Sequence, residues 1–254
     1  MIAIVDYGRG NLGSVEKAFV RLGVPAVVTQ DPRVVDDARA VVLPGDGAFH
    51  DAMENLARLG LLAAVRRAVD GTRPFLGICL GYQLLFSSSE EFGEGNGLDL
   101  IPGVVRRFPE GRKVPHMGWN RVAHGGRLRL FDGVPEDAYF YFVHSYYPVV
   151  ATAVSAARSV GGLTGDARGC GTPDLPGDAR GCGTADLPGD ARGCGTPDLP
   201  VPPKLQIAWC DYGVRFAAAI ELGRIHATQF HPEKSQRWGL RMLENFAGIV
   251  KEAA

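Results

Sequence analysis

The sequence predicts an α/β fold, a central and mostly parallel sheet with helices on both faces and an antiparallel extension. Three observations predict it. In the first half, short β-branched apolar runs alternate with stretches whose apolar residues recur at helical spacing, as in strands joined by helical crossovers. In the second half, apolar runs follow one another across short turns, which suits antiparallel neighbours. With 254 residues, 46% of them hydrophobic and 22% charged, the chain can bury a core of this size.

The elements follow in order. Ile2–Val5 is a short buried strand, and the loop DYGRGN leads into a helix from near Asn11 or Ser14. Val15, Ala18, Phe19 and Leu22 share one face of that helix, and Gly23 ends it. Strands are expected at Val24–Thr29, Ala40–Leu43 and Pro74–Ile78, with helices at Ala48–Leu59, Leu61–Val69 and Leu80–Phe86. Val104–Arg107, Tyr139–His144, Ile207–Asp211, Ala217–Leu222 and Ile225–Phe230 read as the later strands, before a last helix over Arg237–Val250.

The pattern is broken once. Gly165–Pro176, Gly177–Pro188 and Gly189–Pro200 repeat GDARGCGTPDLP, with Ala185 as the one difference. Each unit is rich in Gly and Pro and has too few bulky apolar residues to offset the entropy of ordering. We read about 161–203 as a low-complexity insertion into a surface loop of a single domain spanning 1–254. Eleven residues separate Cys170 from Cys182 and Cys182 from Cys194, and no histidine accompanies them, so a zinc site is not expected there.

Charge and composition exclude several classes. A net charge of −1 gives no reason to expect nucleic acid or an anionic membrane as partner. No apolar run reaches the roughly 18 residues of a membrane span, and MIAIVDYG lacks a charged n-region and a cleavage site. The expectation is a cytoplasmic protein without membrane or nucleic-acid partner. Five cysteines with no CxxC pair argue against a disulfide framework.

Chemistry enters at FLGICLGYQLLF, where Cys79 lies between Gly77 and Gly81 at a strand-to-helix junction. Gly-Ile-Cys-Leu-Gly has the shape of a nucleophile elbow with sulfur in place of oxygen. A helix starting there would favour the thiolate and leave the Leu80 N–H free to donate to an oxyanion. A buried structural cysteine is the competing reading. Far along the chain, QFHPEKS places His231 two residues from Glu233, so that in extended chain both project to one side. A base oriented by a carboxylate is what a cysteine nucleophile needs. Gly45 and Gly47 bracket Asp46 in LPGDGAF, where a backbone N–H could face a ligand at a strand end. Together the three pieces describe acyl transfer through a thioester.

GICLGYQLLF, PGDGAF and QFHPEKS resemble the class I (triad) glutamine amidotransferases. DYGRGNLGSVEKAF, PHMGWN and YFVHSYY are similar to the branch of that family serving histidine biosynthesis. The resemblance covers nearly the whole chain outside about 154–204. It implies Cys79 as nucleophile, His231 as base and Glu233 as the residue orienting it, with oxyanion amides from Asp46 and Leu80. Gly45, Gly47, Gln83, Glu91, Ser145 and Tyr146 would line a glutamine site. It also implies a heterodimer with a cyclase built as a (β/α)8 barrel, faced by Asn11, Trp119 and Lys234, and no cofactor or metal. Core packing is the plain alternative for Trp119. Asp46 departs from the family, which usually carries an apolar residue there. A carboxylate beside a developing oxyanion is unfavourable, so Asp46 is expected to face solvent or pair with a cation at the interface. Three alternatives remain open in the sequence: a sister amidotransferase, a silent regulatory module, and a free-standing cysteine hydrolase.

Overall fold

The computed structural model describes residues 1–151 and 202–253. The repeats at 165–200 lie outside them, and so does the reading of an insertion within a single domain. Thirteen strands are described: β1 Ile2–Val5, β2 Ala26–Thr29, β3 Ala40–Leu43, β4 Phe75–Ile78, β5 Phe86–Ser89, β6 Gly95–Asn96, β7 Ile101–Arg107, β8 His116–Arg121, β9 Tyr139–His144, β10 Tyr146–Val150, β11 Gln206–Asp211, β12 Arg215–Leu222 and β13 Ile225–Thr228. Seven of them form the main sheet, in the order β11-β12-β13-β4-β3-β1-β2. From β13 to β2 all neighbours are parallel, while β12 and β11 add the antiparallel edge.

Burial explains why the parallel strands lack polar alternation. Every residue of β1, β3, β4 and β13 is buried, as a sheet covered on both faces requires. Ile2, Ile4, Val42, Leu76 and Ile78 pack on one side with Phe19 and Phe246. Their neighbours Ala3, Val5, Val41, Leu43 and Phe75 pack on the other side with Leu56 and Val65. Helices α1 (Leu12–Arg21) and α6 (Gln236–Glu252) cover the first side, whereas α3 (Phe49–Arg58) and α4 (Leu62–Ala68) cover the second.

The sequence reading departs from the structure in three places. A short helix α2, Pro32–Asp37, begins where the Asp31 side chain accepts the Arg33 N–H at 2.9 Å. β5, β6, β8 and β10 lie where no strand was expected. The helix expected over 80–86 is the single turn α5, Leu80–Gln83. Leu84, Leu85 and Phe86 leave it because they are wholly buried, and the Leu85 carbonyl accepts the N–H groups of Leu100 and Ile101. β5 then joins a second sheet, β10-β7-β5-β6, while β8 and β9 pair separately. Among the described residues no helix is long and apolar enough to cross a membrane.

Candidate active site

Cys79 directly follows β4 and carries φ 55° and ψ −106°. A non-glycine residue held there costs about 1–3 kcal/mol, which the surroundings must supply. They do so through tight backbone packing. The Cys79 N–H donates to Thr228 O at 2.7 Å. A Cβ on Gly81 would sit 1.7 Å from Leu43 O, and one on Gly77 would sit 2.9 Å from Gly81 O. The two glycines therefore serve close backbone approach, which presents the sulfur at the end of a central strand. A one-turn α5 gives little dipole to favour a thiolate, so the helix contribution expected from the sequence is largely lost.

His231 lies across the same cleft. Its N–H donates to Tyr141 O at 3.0 Å, and the Ser235 hydroxyl donates to its carbonyl at 2.6 Å. Its Nδ1 lies 2.8 Å from Glu233 Oε1, so Nδ1–H donates to the carboxylate. That leaves Nε2 without a hydrogen-bond partner among the described residues. The carboxylate reaches the ring through a 3-10 turn, Pro232–Lys234, and not through extended chain. Burial opposes charge on the ring. The Cys79 sulfur and Glu233 outweigh it and push the His231 pKa up to about 10.

The cleft between them has a volume of about 430 Å³. Asp46, Gly47, Leu80, Gln83, Glu91, Ser145, Tyr146 and Lys234 all line it with Cys79 and His231. Glu233 is held behind His231. Gly45 is buried beside the cleft, where a Cβ would come 1.9 Å from the Tyr7 hydroxyl. Glu91 accepts the Phe49 N–H at 2.7 Å; its pKa is raised by burial, against that hydrogen bond and with Asp51 adding to the rise. Asn11 is exposed at the start of α1, and Trp119 is 46% exposed on β8, so neither lines the cleft. Trp119 is thus not a core residue.

The Leu80 N–H is not free in this conformation, because it donates to Gly45 O at 3.4 Å. Asp46 differs from expectation as well. It is exposed, but its carboxylate accepts the Gly10 N–H at 2.9 Å and so ties DYGRGN to the strand-end loop.

Three residues in or behind the cleft were given no role in the sequence. His144 lines the cleft, and its Nδ1 lies 2.7 Å from Tyr146 O. A carbonyl only accepts, so Nδ1 carries the proton and Nε2 must accept. The donor is His116 Nδ1 at 3.1 Å, and Asn120 Nδ2 faces His116 Nε2 at 3.4 Å. Both rings are neutral in this arrangement. Burial lowers His116 to about 4, and burial with the nearby His116 and His231 lowers His144 to about 3, against its bond to Tyr146. Gln229 is wholly buried and touches both Gln83 and Cys79. Its legible signal was its position two residues before His231, hence on the same side of an extended chain.

A thiol at a strand-end elbow and a carboxylate-held imidazole across one cleft form a site able to perform cysteine-dependent acyl transfer. Residues 3–159 match the family described as Glutamine amidotransferase class-I. The chain belongs to the class I glutamine amidotransferases. It is 44% identical to the imidazole glycerol phosphate synthase subunit HisH of Moorella thermoacetica, over 99% of this chain and 96% of that protein. It is 42% identical to the subunit of the same name from Methanothermobacter thermautotrophicus, over 99% of this chain and all of that one. These relatives place it in the HisH branch of the family. A solved structure described as a glutamine amidotransferase covers 99% of this chain and all of its own, with a TM-score of 0.61 at 16% identity. A glutamine amidotransferase from Thermotoga maritima gives 0.54 at 14% identity, over 99% of this chain and 84% of that one. At such identities the likeness bears on the fold alone.

Proposed function

We propose that this chain is the glutaminase subunit of imidazole glycerol phosphate synthase and works in histidine biosynthesis. Glutamine enters the cleft, held by Gln83, Glu91, Ser145, Tyr146 and the backbone at Gly45–Gly47. The Cys79 thiolate attacks the side-chain amide carbon. His231, carrying a proton on Nε2, gives that proton to the departing nitrogen, so ammonia leaves and a γ-glutamyl thioester remains. Water then attacks the thioester, His231 takes its proton, and glutamate is released with Cys79 restored. Glu233 keeps the ring oriented and favours its charged form.

The oxyanion amides are those of Leu80 and Asp46. Gly45 O now occupies the Leu80 N–H, so activity requires the Gly45–Asp46 peptide to turn. Rotating that peptide exchanges its C=O for its N–H, which frees one donor and supplies a second.

The ammonia passes to a partner, the cyclase subunit HisF, a (β/α)8 barrel that forms a heterodimer with this chain. There it reacts with a phosphoribulosyl-formimino carboxamide nucleotide to give imidazole glycerol phosphate and AICAR. The exposed Trp119, with Met117 and Tyr139 also exposed nearby, suits such an interface, and Lys234 and Asn11 fall on it in this reading. The protein acts in the cytoplasm and needs no metal, cofactor, nucleic acid or membrane.

The observation that carries the reading is the 2.8 Å contact from Glu233 to His231, with Nε2 left for the sulfur across the cleft. The test mixes the chain with a HisF cyclase and its nucleotide and follows glutamine-dependent formation of imidazole glycerol phosphate. The expected result is low glutamine hydrolysis alone, stimulation with the nucleotide-loaded partner, and labelling of Cys79 by a glutamine analogue. Equal hydrolysis with and without partner would favour a free-standing hydrolase, and an unlabelled Cys79 would reject the assignment.

A further inference from the structure

Besides the His231 imidazole across the cleft, which is charged beside it, the sulfur of Cys79 meets two polar groups with opposite preferences. Val143 O lies 4.0 Å away and can only accept, so it favours the S–H form. Gln229 Nε2 lies 3.6 Å away. The Gln229 amide cannot be turned round, and the reason begins at Tyr146. The Tyr146 carbonyl receives His144 Nδ1–H at 2.7 Å and Gln83 Nε2–H at 2.9 Å, which uses both of its lone pairs. The atom of Gln83 facing that carbonyl must be its nitrogen. The same nitrogen lies 3.0 Å from Gln229, so Gln229 presents oxygen to Gln83 and its N–H to the sulfur. Reversing Gln229 would set donor against donor on one side and oxygen against sulfur on the other.

Burial makes this donor matter. Gln229 is 0% exposed and Cys79 is 6% exposed, so water gives the sulfur little help. The Gln229 backbone is fixed as well, its N–H donating to Ala218 O at 2.7 Å. A hydrogen bond to the charged form of a buried group stabilises that form. The one-turn helix behind Cys79 adds little dipole to favour the thiolate.

We propose that Gln229 is a further catalytic residue: its side-chain N–H is a second donor, beside His231, that stabilises the Cys79 thiolate, oriented through Gln83 by the Tyr146 carbonyl. The role rests on the amidotransferase reading for its purpose, since it links the segment expected to hold glutamine to the attacking sulfur. No atoms are transferred through Gln229; its hydrogen bond to sulfur strengthens as the S–H proton leaves and persists until the thioester forms.

The test compares the full chain with Gln229→Glu and Gln229→Met. Glu is nearly isosteric, keeps an acceptor for Gln83 and replaces the N–H with oxygen, while Met removes both groups at similar length. Iodoacetamide alkylation is followed at Cys79 itself, by peptide mass spectrometry, across pH 5 to 10 (a range of about five units bracketing ordinary thiol ionisation). The expected result is a rise of about one pH unit in the alkylation midpoint for Gln229→Met, a tenfold lower rate on the rising limb, and a larger rise for Gln229→Glu. If Gln229 only supports Gln83, Gln229→Glu leaves the profile unchanged. Profiles of both variants coinciding with the parent overturn the proposal, even if glutamine KM changes. Should one variant fail to fold, the other decides. The alkylation shift needs no glutamine turnover, so a shift without any glutaminase activity would reject the amidotransferase reading while leaving the donor in place.

Discussion

Two buried histidines face the same cleft and prefer opposite charge states. His231 is 4% exposed and His144 is 6% exposed, so burial penalises a charge on both. For His144 burial wins and the ring stays neutral down to about pH 3. For His231 the nearby sulfur and Glu233 reverse it, and the proton is held up to about pH 10. The difference lies in the charge each ring meets: the Cys79 sulfur first and the Glu233 carboxylate second for His231, and no anion among the causes for His144. His144 Nδ1–H donates to the neutral Tyr146 carbonyl, whereas His231 Nδ1–H donates to a carboxylate. Burial sets the stakes and the partner's charge decides the outcome. One ring can then move a proton during reaction, and the other holds the Tyr146 backbone still.

The sharpest way to break this comparison is to neutralise the partner. Glu233→Gln keeps a group near Nδ1 but removes the charge. The His231 pKa should fall by the part that Glu233 supplies, while the part supplied by the Cys79 sulfur remains. In the proposed mechanism the His231 imidazolium protonates the departing nitrogen and is lost as pH rises through its pKa, so the alkaline limb of the pH–rate profile should move to lower pH. At neutral pH, glutaminase kcat should fall about hundredfold, roughly 2.7 kcal/mol of barrier, most of it from lost orientation of the ring and the rest from its lost charge. An unchanged alkaline limb would show that Glu233 does not set the charge on His231. His231 also contributes stability of the opposite pH sense to His144. Its folded pKa is raised, so that contribution is full below about pH 6.5 and fades as pH rises toward 10.

The neutral pair gives the acid-side test. His116 and His144 have depressed folded values, so they favour the fold above about pH 6.5 and lose that contribution as pH falls toward 4 and 3. Each can add at most about 1.4 kcal/mol of destabilisation per pH unit across that window. His116 stacks at 3.9 Å on Tyr212 and at 4.8 Å on Phe142, so His116→Phe can keep the packing. That variant should be less stable at pH 7, because His144 Nε2 loses its donor, yet its melting temperature should fall less steeply between pH 6.5 and 4. A slope as steep as the parent's would mean that His116 is not one of the groups titrating there.

How far the sequence could anticipate this contrast depends on distance along the chain. The parallel strands were readable because a sheet covered on both faces demands uninterrupted apolar runs, as in AVVL at 40–43. The elbow was readable because the two glycines announce close backbone approach, which the contacts to Leu43 O and Gly81 O then explain. α5 is shorter than its sequence suggests, since LLF suits a helix as well as a buried strand. Only pairing with Ile101, fifteen residues away, settles the matter. The neutral histidines were hidden for the same reason: His116 and His144 meet through the β8–β9 pairing, 28 positions apart. Gln229 meets Cys79 across 150 positions. Such charge and hydrogen-bond roles are set by tertiary contacts that no local pattern carries.

Asp46 allows a finer comparison, between a carboxylate within the cleft's wall and one at its mouth. Its side chain is exposed and bonded to the Gly10 N–H, so water screens it from the reacting atoms. Asp46→Val removes that charge and the tie to DYGRGN. With the amide retained, kcat should change by less than about tenfold, under roughly 1.4 kcal/mol, far below the effect of Glu233→Gln. A rise beyond tenfold would mean that the exposed charge opposes the oxyanion after all.

The smallest effect is expected furthest from either histidine in chemical character. Removing Gly165–Pro200 deletes three units that carry no histidine and few bulky apolar residues. Their composition offers little to a hydrophobic core. We predict that this deletion leaves both arms of the pH–stability curve and the glutaminase rate within about twofold, roughly 0.4 kcal/mol. Changed slopes in that variant, measured by thermal melting from pH 4 to 10, a span of about six units over which both histidine classes titrate, would show that the repeats contact the titrating groups. Loss of soluble expression would show instead that they matter for folding.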